Sequence, residues 1–292
     1  MAGEMMTVGD ELRDETLSHI AATRATRKQG KFDRYFPDCG PECDPKAPHV
    51  DDHRGMCRVL YQKHLAWFAS HERERLMIAA NRIGKTQAGA YETVAHLTGL
   101  YPTWWEGRKF SEPVSFWAAG DTAKTVRDIG QLELLGPMND IGSGFIPRHL
   151  IEHFSRKPGV TDAVETIWVK HAEKEHGAPG LSELGLKSYD QRREAFQGTR
   201  KHGIWMDEEP PEDIYVECLL RTVQTSDFEG GLLMLTFTPL QGLTPLVLEF
   251  LPGGRLPEGE MPELAGEMWE GRDVDGFSDD WVEAATVRDD GD

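Results

Sequence analysis

The sequence predicts an α/β domain with a mostly parallel sheet and helices on both of its faces. Three observations carry that prediction. Short apolar runs of strand length alternate with amphipathic helical stretches. One such run, residues 76–80, passes through a Gly-Lys-Thr turn directly into a helix. Another, Ile204-Trp205-Met206, ends in the adjacent carboxylates Asp207 and Glu208.

Along the chain, residues 1–30 read as a helix with a loose apolar stripe at Leu12, Leu17, Ile20 and Ala21, then the cations Arg24, Arg27 and Lys28. Residues 32–54 are rich in Pro, Gly, Asp and His and read as loop. Leu60, Leu65 and Phe68 mark a helix over about 59–73. After the strand at 76–80, a helix carries Ala88, Ala90, Val94, Ala95 and Leu97 and stops at Gly99. Residues 114–119 are a strand, Thr122 is an N-cap candidate, and Val126, Ile129, Leu132 and Leu135 mark the next helix. Residues 165–169, 183–187, 204–206 and 232–237 give four more strands. Beyond about Pro252 the chain is acidic, rich in Gly and Pro, and poor in core residues. The expected division is an N-terminal helix and Cys/His/Pro-rich loop over 1–58, a core over 59–252, and an acidic tail or linker over 253–292. No internal repeat is visible.

Composition narrows the function classes. The 292 residues carry 32 Lys+Arg against 50 Asp+Glu, a formal charge of −18. That balance argues against a broad basic nucleic-acid surface, but leaves room for a local patch that grips DNA transiently. No apolar run is long enough to span a bilayer, and the acidic N-terminus resembles neither a secretory nor a transit signal. Four cysteines do not make a secreted disulfide scaffold, so an intracellular setting is the default expectation. Cys39, Cys43, His49, His53 and Cys57 form a dense set of potential zinc ligands. They lack a C-x2-C pair, so a reduced surface loop is the expectation, rather than structural zinc.

Ala79-x4-Gly84-Lys85-Thr86 is a Walker A pattern with Ala in place of the first Gly. A loop between strand and helix aims backbone N–H groups at phosphate oxygens, and the helix N-terminus adds favourable partial charge. Lys85 can reach the β- and γ-phosphates of ATP, and Thr86 can ligate Mg²⁺. An Ala at position 79 requires a loop entry compatible with an ordinary residue. At the end of the later strand, Asp207 suits Mg²⁺ and Glu208 suits a general base acting on water. Glu209 is a third acid before Pro210-Pro211. Adjacent acids at a strand end favour hydrolysis over a small-molecule kinase, whose substrate supplies its own nucleophile. Trp104 and Trp105 beside Tyr101 read as core or interface packing rather than base stacking. Arg192, Arg193, Arg200 and Lys201 read as a solvated charged face that could also meet DNA or a neighbouring site.

Taken together, these segments resemble the large terminase subunit of tailed double-stranded DNA bacteriophages. The resemblance runs over about 61–250. It is carried by the phosphate loop, His96-Leu97-Thr98-Gly99, Tyr101-Pro102-Thr103-Trp104-Trp105, Lys187-Ser188-Tyr189-Asp190-Gln191, Met206-Asp207-Glu208-Glu209-Pro210-Pro211 and Leu235-Thr236-Phe237-Thr238-Pro239-Leu240. It implies a P-loop ATPase of the additional-strand, catalytic-glutamate class. The implied activity is a viral genome-packaging motor that couples Mg-ATP hydrolysis to translocation of double-stranded DNA into a procapsid. The family also carries a nuclease domain, which is not expected within this chain, so DNA cleavage is not expected of it.

By the same resemblance, Ala79, Asn81, Arg82, Gly84, Lys85 and Thr86 bind the ATP phosphates, and Thr86 and Asp207 hold Mg²⁺. Glu208 and Arg82 are catalytic, Gln62 reads adenine, and Thr236 and Thr238 couple hydrolysis to movement. Arg82 is the expected cis arginine, with Arg192, Arg193 and Arg200 as the alternatives in trans. Exposed-helix and strand-propensity readings remain open for Gln62 and for Thr236 and Thr238. The implied partners are double-stranded DNA, a portal protein, a small terminase subunit and further copies of the chain in a ring. The implied location is the host cytoplasm at the portal vertex, with no membrane. Two alternatives stand beside this. One is a helicase-like remodelling ATPase, for which no length remains for a second RecA-like domain. The other is a truncated, non-catalytic module that binds portal or small subunit, against which Lys85, Asp207 and Glu208 count.

Overall fold

The apolar runs pair into one seven-stranded sheet because each alternates its side chains between two buried faces. A computed structural model describes residues 30–38, 57–59, 61–171, 180–225 and 228–251. The helix expected within the first thirty residues and the acidic stretch expected over 253–292 lie outside the described residues. The strands are β1 Glu74–Ile78, β2 Ser115–Gly120, β3 Ile151–Arg156, β4 Val164–Lys170, β5 Leu181–Ser188, β6 Gly203–Asp207 and β7 Leu232–Phe237. Their spatial order is β1-β7-β6-β2-β5-β4-β3. The first five are mutually parallel, and β4 and β3 extend the sheet antiparallel. β7 is interposed between the strand that precedes the phosphate loop and the strand that carries Asp207. This is the P-loop α/β fold with the additional strand that the resemblance implied.

The helices are α1 Lys31–Arg34, α2 Gln62–Ala69, α3 Lys85–Thr98, a composite α4, α5 Glu212–Thr222 and α6 Pro245–Glu249. Within α4, α-turns at Ala123–Thr125 and Leu132–Leu135 flank a π-helical stretch at Val126–Gln131. Thr122 caps α4 as expected, its side chain accepting from Thr125 N–H. Met77, Trp205, Leu232 and Met234 face the core shared with α3 and α4. Leu76, Ile78, Ile204, Met206, Leu233 and Leu235 face the one shared with α5 and α6. Helices therefore cover both faces.

α3 is anchored by charge as well as by packing. Arg75 of β1 pairs with Glu92 of α3, both almost fully buried, and His96 lies 3.3 Å from the same carboxylate oxygen. Burial pushes the Glu92 carboxyl up, but Arg75 and His96 outweigh it and hold it below its ordinary value. The helix ends where expected, at Gly99 in the left-handed region with φ 69°.

Three differences from the sequence reading are informative. Residues 32–36 are not loop throughout. Lys31–Arg34 is helical, and Phe32, Tyr35 and Phe36 bury against Tyr91 of α3. Their i, i+3, i+4 spacing is the helical signal that the surrounding Pro and Gly obscured. β3 was not expected, because an edge strand with a half-exposed pattern offers no apolar run. Lys201 is not solvated. It is buried, donates to Ser115 Oγ at 2.6 Å and lies over the Trp117 ring. The aromatic reading holds: Trp105 is buried, and Trp104 stacks on Tyr91. Among the described residues no helix is long and apolar enough to cross a membrane.

Candidate active site

The parallel strands β1, β6 and β7 end side by side, so their C-terminal residues converge on one cleft. Asn81, Arg82, Gly84, Lys85, Thr86, Gln87, Asp207, Glu208, Thr236 and Thr238 line it, around a cavity of about 270 Å³. The phosphate loop reaches the cleft through two left-handed residues, Arg82 at φ 69° and Gly84 at φ 88°. Ala79 needs no such conformation and is buried at the loop entry. Gly84 is the N-cap of the 14-residue α3, whose N-terminus faces the cleft.

Lys85 is buried, and its ammonium donates to Ala79 O at 2.8 Å, Ala80 O at 2.7 Å and Thr238 Oγ1 at 2.9 Å. Burial lowers its pKa, against an upward pull from Asp207 and Glu208. Thr238 Oγ1 lies 2.9 Å from Ala79 O and 3.0 Å from Asn81 Oδ1, stitching the end of β7 to the loop.

Asp207 stands at the centre. Thr86 Oγ1 lies 3.1 and 3.0 Å from its two carboxylate oxygens. Thr236 Oγ1 donates to Asp207 Oδ1 at 2.8 Å and accepts from Trp205 Nε1 at 2.8 Å. An indole N–H, a hydroxyl and a carboxylate thus form a chain across β6 and β7. Burial pushes the Asp207 carboxyl up to about 7. Hydrogen bonds from Thr236 and Thr86 and the Lys85 charge pull against this, and Glu208 adds to it. The indole fits because α3 presents a glycine opposite it: a Cβ on Gly89 would lie 2.2 Å from Trp205 Nε1.

Glu208 has φ 75°, a left-handed conformation that costs a non-glycine residue free energy. Its N–H donates to Thr236 O at 3.1 Å, and its carbonyl accepts from Tyr189 Oη at 2.9 Å. Burial raises the Glu208 pKa, with Lys85 opposing and Asp121 reinforcing. Glu209 is directed elsewhere, accepting from Thr244 Oγ1 at 2.5 Å.

The cleft therefore gathers Asn81, Arg82, Gly84, Lys85, Thr86, Asp207, Glu208, Thr236 and Thr238, with Ala79 behind Lys85. Gln62 is elsewhere. It is exposed, its amide donates to Arg58 O at 2.6 Å, and it lines a separate groove with Arg58, Leu65 and Trp104. Arg193 pairs with Glu217, and Arg200 donates to Thr225 Oγ1. Arg192 stands in the left-handed region at φ 63°. Of the potential zinc ligands, Cys39, Cys43, His49 and His53 lie outside the described residues, and Cys57 is buried. Among the described residues no group of three or more His, Cys, Asp or Glu is placed to hold a metal ion. Sequence reasoning gave no role to Gly89, Trp205, Asp121 or Tyr189. All four act through contacts distant in sequence, and local spacing carries no trace of these.

Comparison with known proteins agrees with the resemblance. The chain is 38% identical over 193 residues to the large terminase subunit of Salmonella phage P22, covering 61% of this chain and 38% of that protein. It thus spans well under half the length of that relative. Among solved structures, it is similar to the large terminase ATPase domain of Thermus phage P74-26, at 19% identity and a TM-score of 0.43, over 70% of this chain and 74% of that one. It is also similar to the large terminase of another thermophilic bacteriophage in complex with ATP-γ-S, at 16% identity and a TM-score of 0.37, over 60% and 36%. The family model described as terminase large subunit, T4likevirus-type, N-terminal, matches residues 76–281. That match covers well over half of the chain, and the chain belongs to this large terminase family.

Proposed function

We propose that this chain is the ATP-hydrolysing part of a viral DNA-packaging motor. The observation that carries the reading is the single cleft holding Lys85, Thr86, Asp207 and Glu208. The α3 N-terminus and Lys85 receive the β- and γ-phosphates, and the ammonium exchanges its carbonyl partners for phosphate oxygens. Thr86 and Asp207 form a hard-oxygen pair suited to Mg²⁺, and a buried carboxylate pushed up to about 7 gains from a nearby cation. The ion would neutralise phosphate charge there. Glu208, its basicity raised by burial, takes a proton from water as the water oxygen attacks the γ-phosphorus and ADP leaves. Arg82, on the loop that wraps the phosphates, is suited to the charge developing on the γ-phosphoryl group. Thr236 and Thr238 each touch one side of this chemistry, Asp207 and Lys85 respectively, which supports a coupling role. Gln62 is the adenine candidate by family resemblance alone.

Family membership supports the wider setting: double-stranded DNA as track, portal protein and small terminase subunit as partners, a ring of copies, and action at the procapsid portal vertex. The test is hydrolysis of Mg-ATP by the purified chain, with and without double-stranded DNA and portal. Wild-type protein should turn over, and Glu208→Gln should bind Mg-ATP while losing about 10²–10⁴ in rate. A wild-type chain that does not bind Mg-ATP would refute the reading.

A further inference from the structure

We infer that Tyr189 is a positioning residue for hydrolysis, holding Glu208 in its left-handed backbone conformation so that the carboxylate stays over the cleft. The inference rests on the reading of Glu208 as the base. At φ 75°, Glu208 occupies a region that side-chain-bearing residues leave unless surrounding contacts hold them. Two contacts do so. Thr236 O fixes the N–H side of the residue. Tyr189 Oη fixes the carbonyl side at 2.9 Å, and also lies 3.4 Å from Asp207 O. Rotation of the Glu208 backbone toward an ordinary conformation would swing that carbonyl away from the phenol and redirect the side chain.

Tyr189 is itself braced. It opens the 3₁₀ turn Tyr189–Gln191 after β5, where Ser188 N–H donates to the Gln191 side chain at 3.0 Å. Asp190 N–H donates to Asp121 O, and Asp190 Oδ2 accepts from Ala123 N–H, joining the turn to the start of α4. The phenol ring is buried beside Phe196, with ring centroids 6.4 Å apart. Its hydroxyl is thus delivered to the Glu208 carbonyl from a fixed support, and the residue itself is not among those lining the cleft.

The experiment uses the full chain with Tyr189→Phe, which keeps the ring and removes only the hydroxyl. Steady-state ATP hydrolysis and ATP-γ-S affinity are measured for wild type, Tyr189→Phe, Glu208→Gln and the double variant. Losing one neutral hydrogen bond that acts only on the base should lower kcat about 3- to 10-fold and leave ATP-γ-S affinity unchanged. In the Glu208→Gln background the same change should cost nothing further, because no base remains to be positioned. Unchanged kcat in Tyr189→Phe, while Glu208→Gln is impaired, overturns the inference alone. So does a loss of nucleotide affinity that parallels the loss of kcat, or an undiminished penalty in the double variant. If Glu208→Gln turns over normally, the reading of Glu208 fails and the inference falls with it.

Discussion

Replacing Gly89 with alanine sets two effects of opposite sign against each other. Alanine is the better helix former, by about 1 kcal/mol at an interior position such as this one in α3. The added methyl would meet Trp205, at 2.2 Å from Nε1, 2.4 Å from Cε2 and 2.8 Å from Cδ1. The indole is 1% exposed and lies within the sheet core, so it has no free space to retreat into. Overpacking of this kind costs about 1–3 kcal/mol. Displacing Nε1 from Thr236 Oγ1 sacrifices a buried hydrogen bond, about 1 kcal/mol more. The clash outweighs the propensity gain, and the net expectation is destabilisation by about 1–3 kcal/mol. The assay is urea unfolding followed by far-ultraviolet circular dichroism. Gly130→Ala is the control, since a Cβ there meets nothing within 4 Å; it should be neutral or slightly stabilising. A Gly89→Ala protein as stable as wild type would refute the packing argument. One that is destabilised but hydrolyses ATP at the wild-type rate would detach Trp205 from the orientation of Asp207.

Further outcomes follow from the same cleft. Lys85→Ala should abolish ATP hydrolysis and weaken nucleotide binding, read by turnover and by titration with a fluorescent ATP analogue, because the ammonium is the cation nearest the expected phosphates. Arg82→Gly should raise the urea midpoint, by relieving the left-handed strain of about 1 kcal/mol, while turnover drops on the order of 10³-fold or more. Turnover unchanged in that variant would remove Arg82 from the chemistry. In metal-free protein, the raised Asp207 pKa means the folded state holds a proton that the unfolded state releases from about pH 4 upward. Its contribution to stability is therefore present at low pH, declines as pH rises toward about 7, and is flat above. His64, lowered by burial to about 4, acts in the opposite sense below neutrality. The comparison that isolates Asp207 is the difference in urea midpoints between wild type and Asp207→Asn at about pH 5 and about pH 8. A difference that does not change with pH would contradict the assignment.

Much of the chemistry was legible because the phosphate loop and the carboxylate pair are local patterns. Spacing alone places Lys85 and Thr86 at a helix start and Asp207 and Glu208 at a strand end. That the two ends meet follows from β7 lying between β1 and β6, an order that no local pattern encodes. The left-handed Glu208 was illegible for a related reason: a Glu between an Asp and another Glu gives no turn signal, and its conformation is imposed by Tyr189 and Thr236. Gly89 reads in sequence as a weak point in a helix, and only the neighbouring strand reveals it as space for an indole. The π-helical stretch of α4 was invisible as well, since Val126, Ile129, Leu132 and Leu135 keep an ordinary helical spacing.

The antiparallel end of the sheet decides how this molecule meets others of its kind. β3 pairs only with β4, so one side of its backbone lies at the rim of the sheet. The strand is broken by register shifts between Ile151 and His153 and between Ser155 and Arg156. It carries exposed Glu152, His153 and Arg156, with Glu152 ion-paired to Lys170 at 3.0 Å. An interrupted, charged rim makes a poor template for a further strand. Crowded copies meeting at this end of the sheet encounter mixed charge instead of a continuous row of open amides, so contact there stays reversible and does not propagate into fibres.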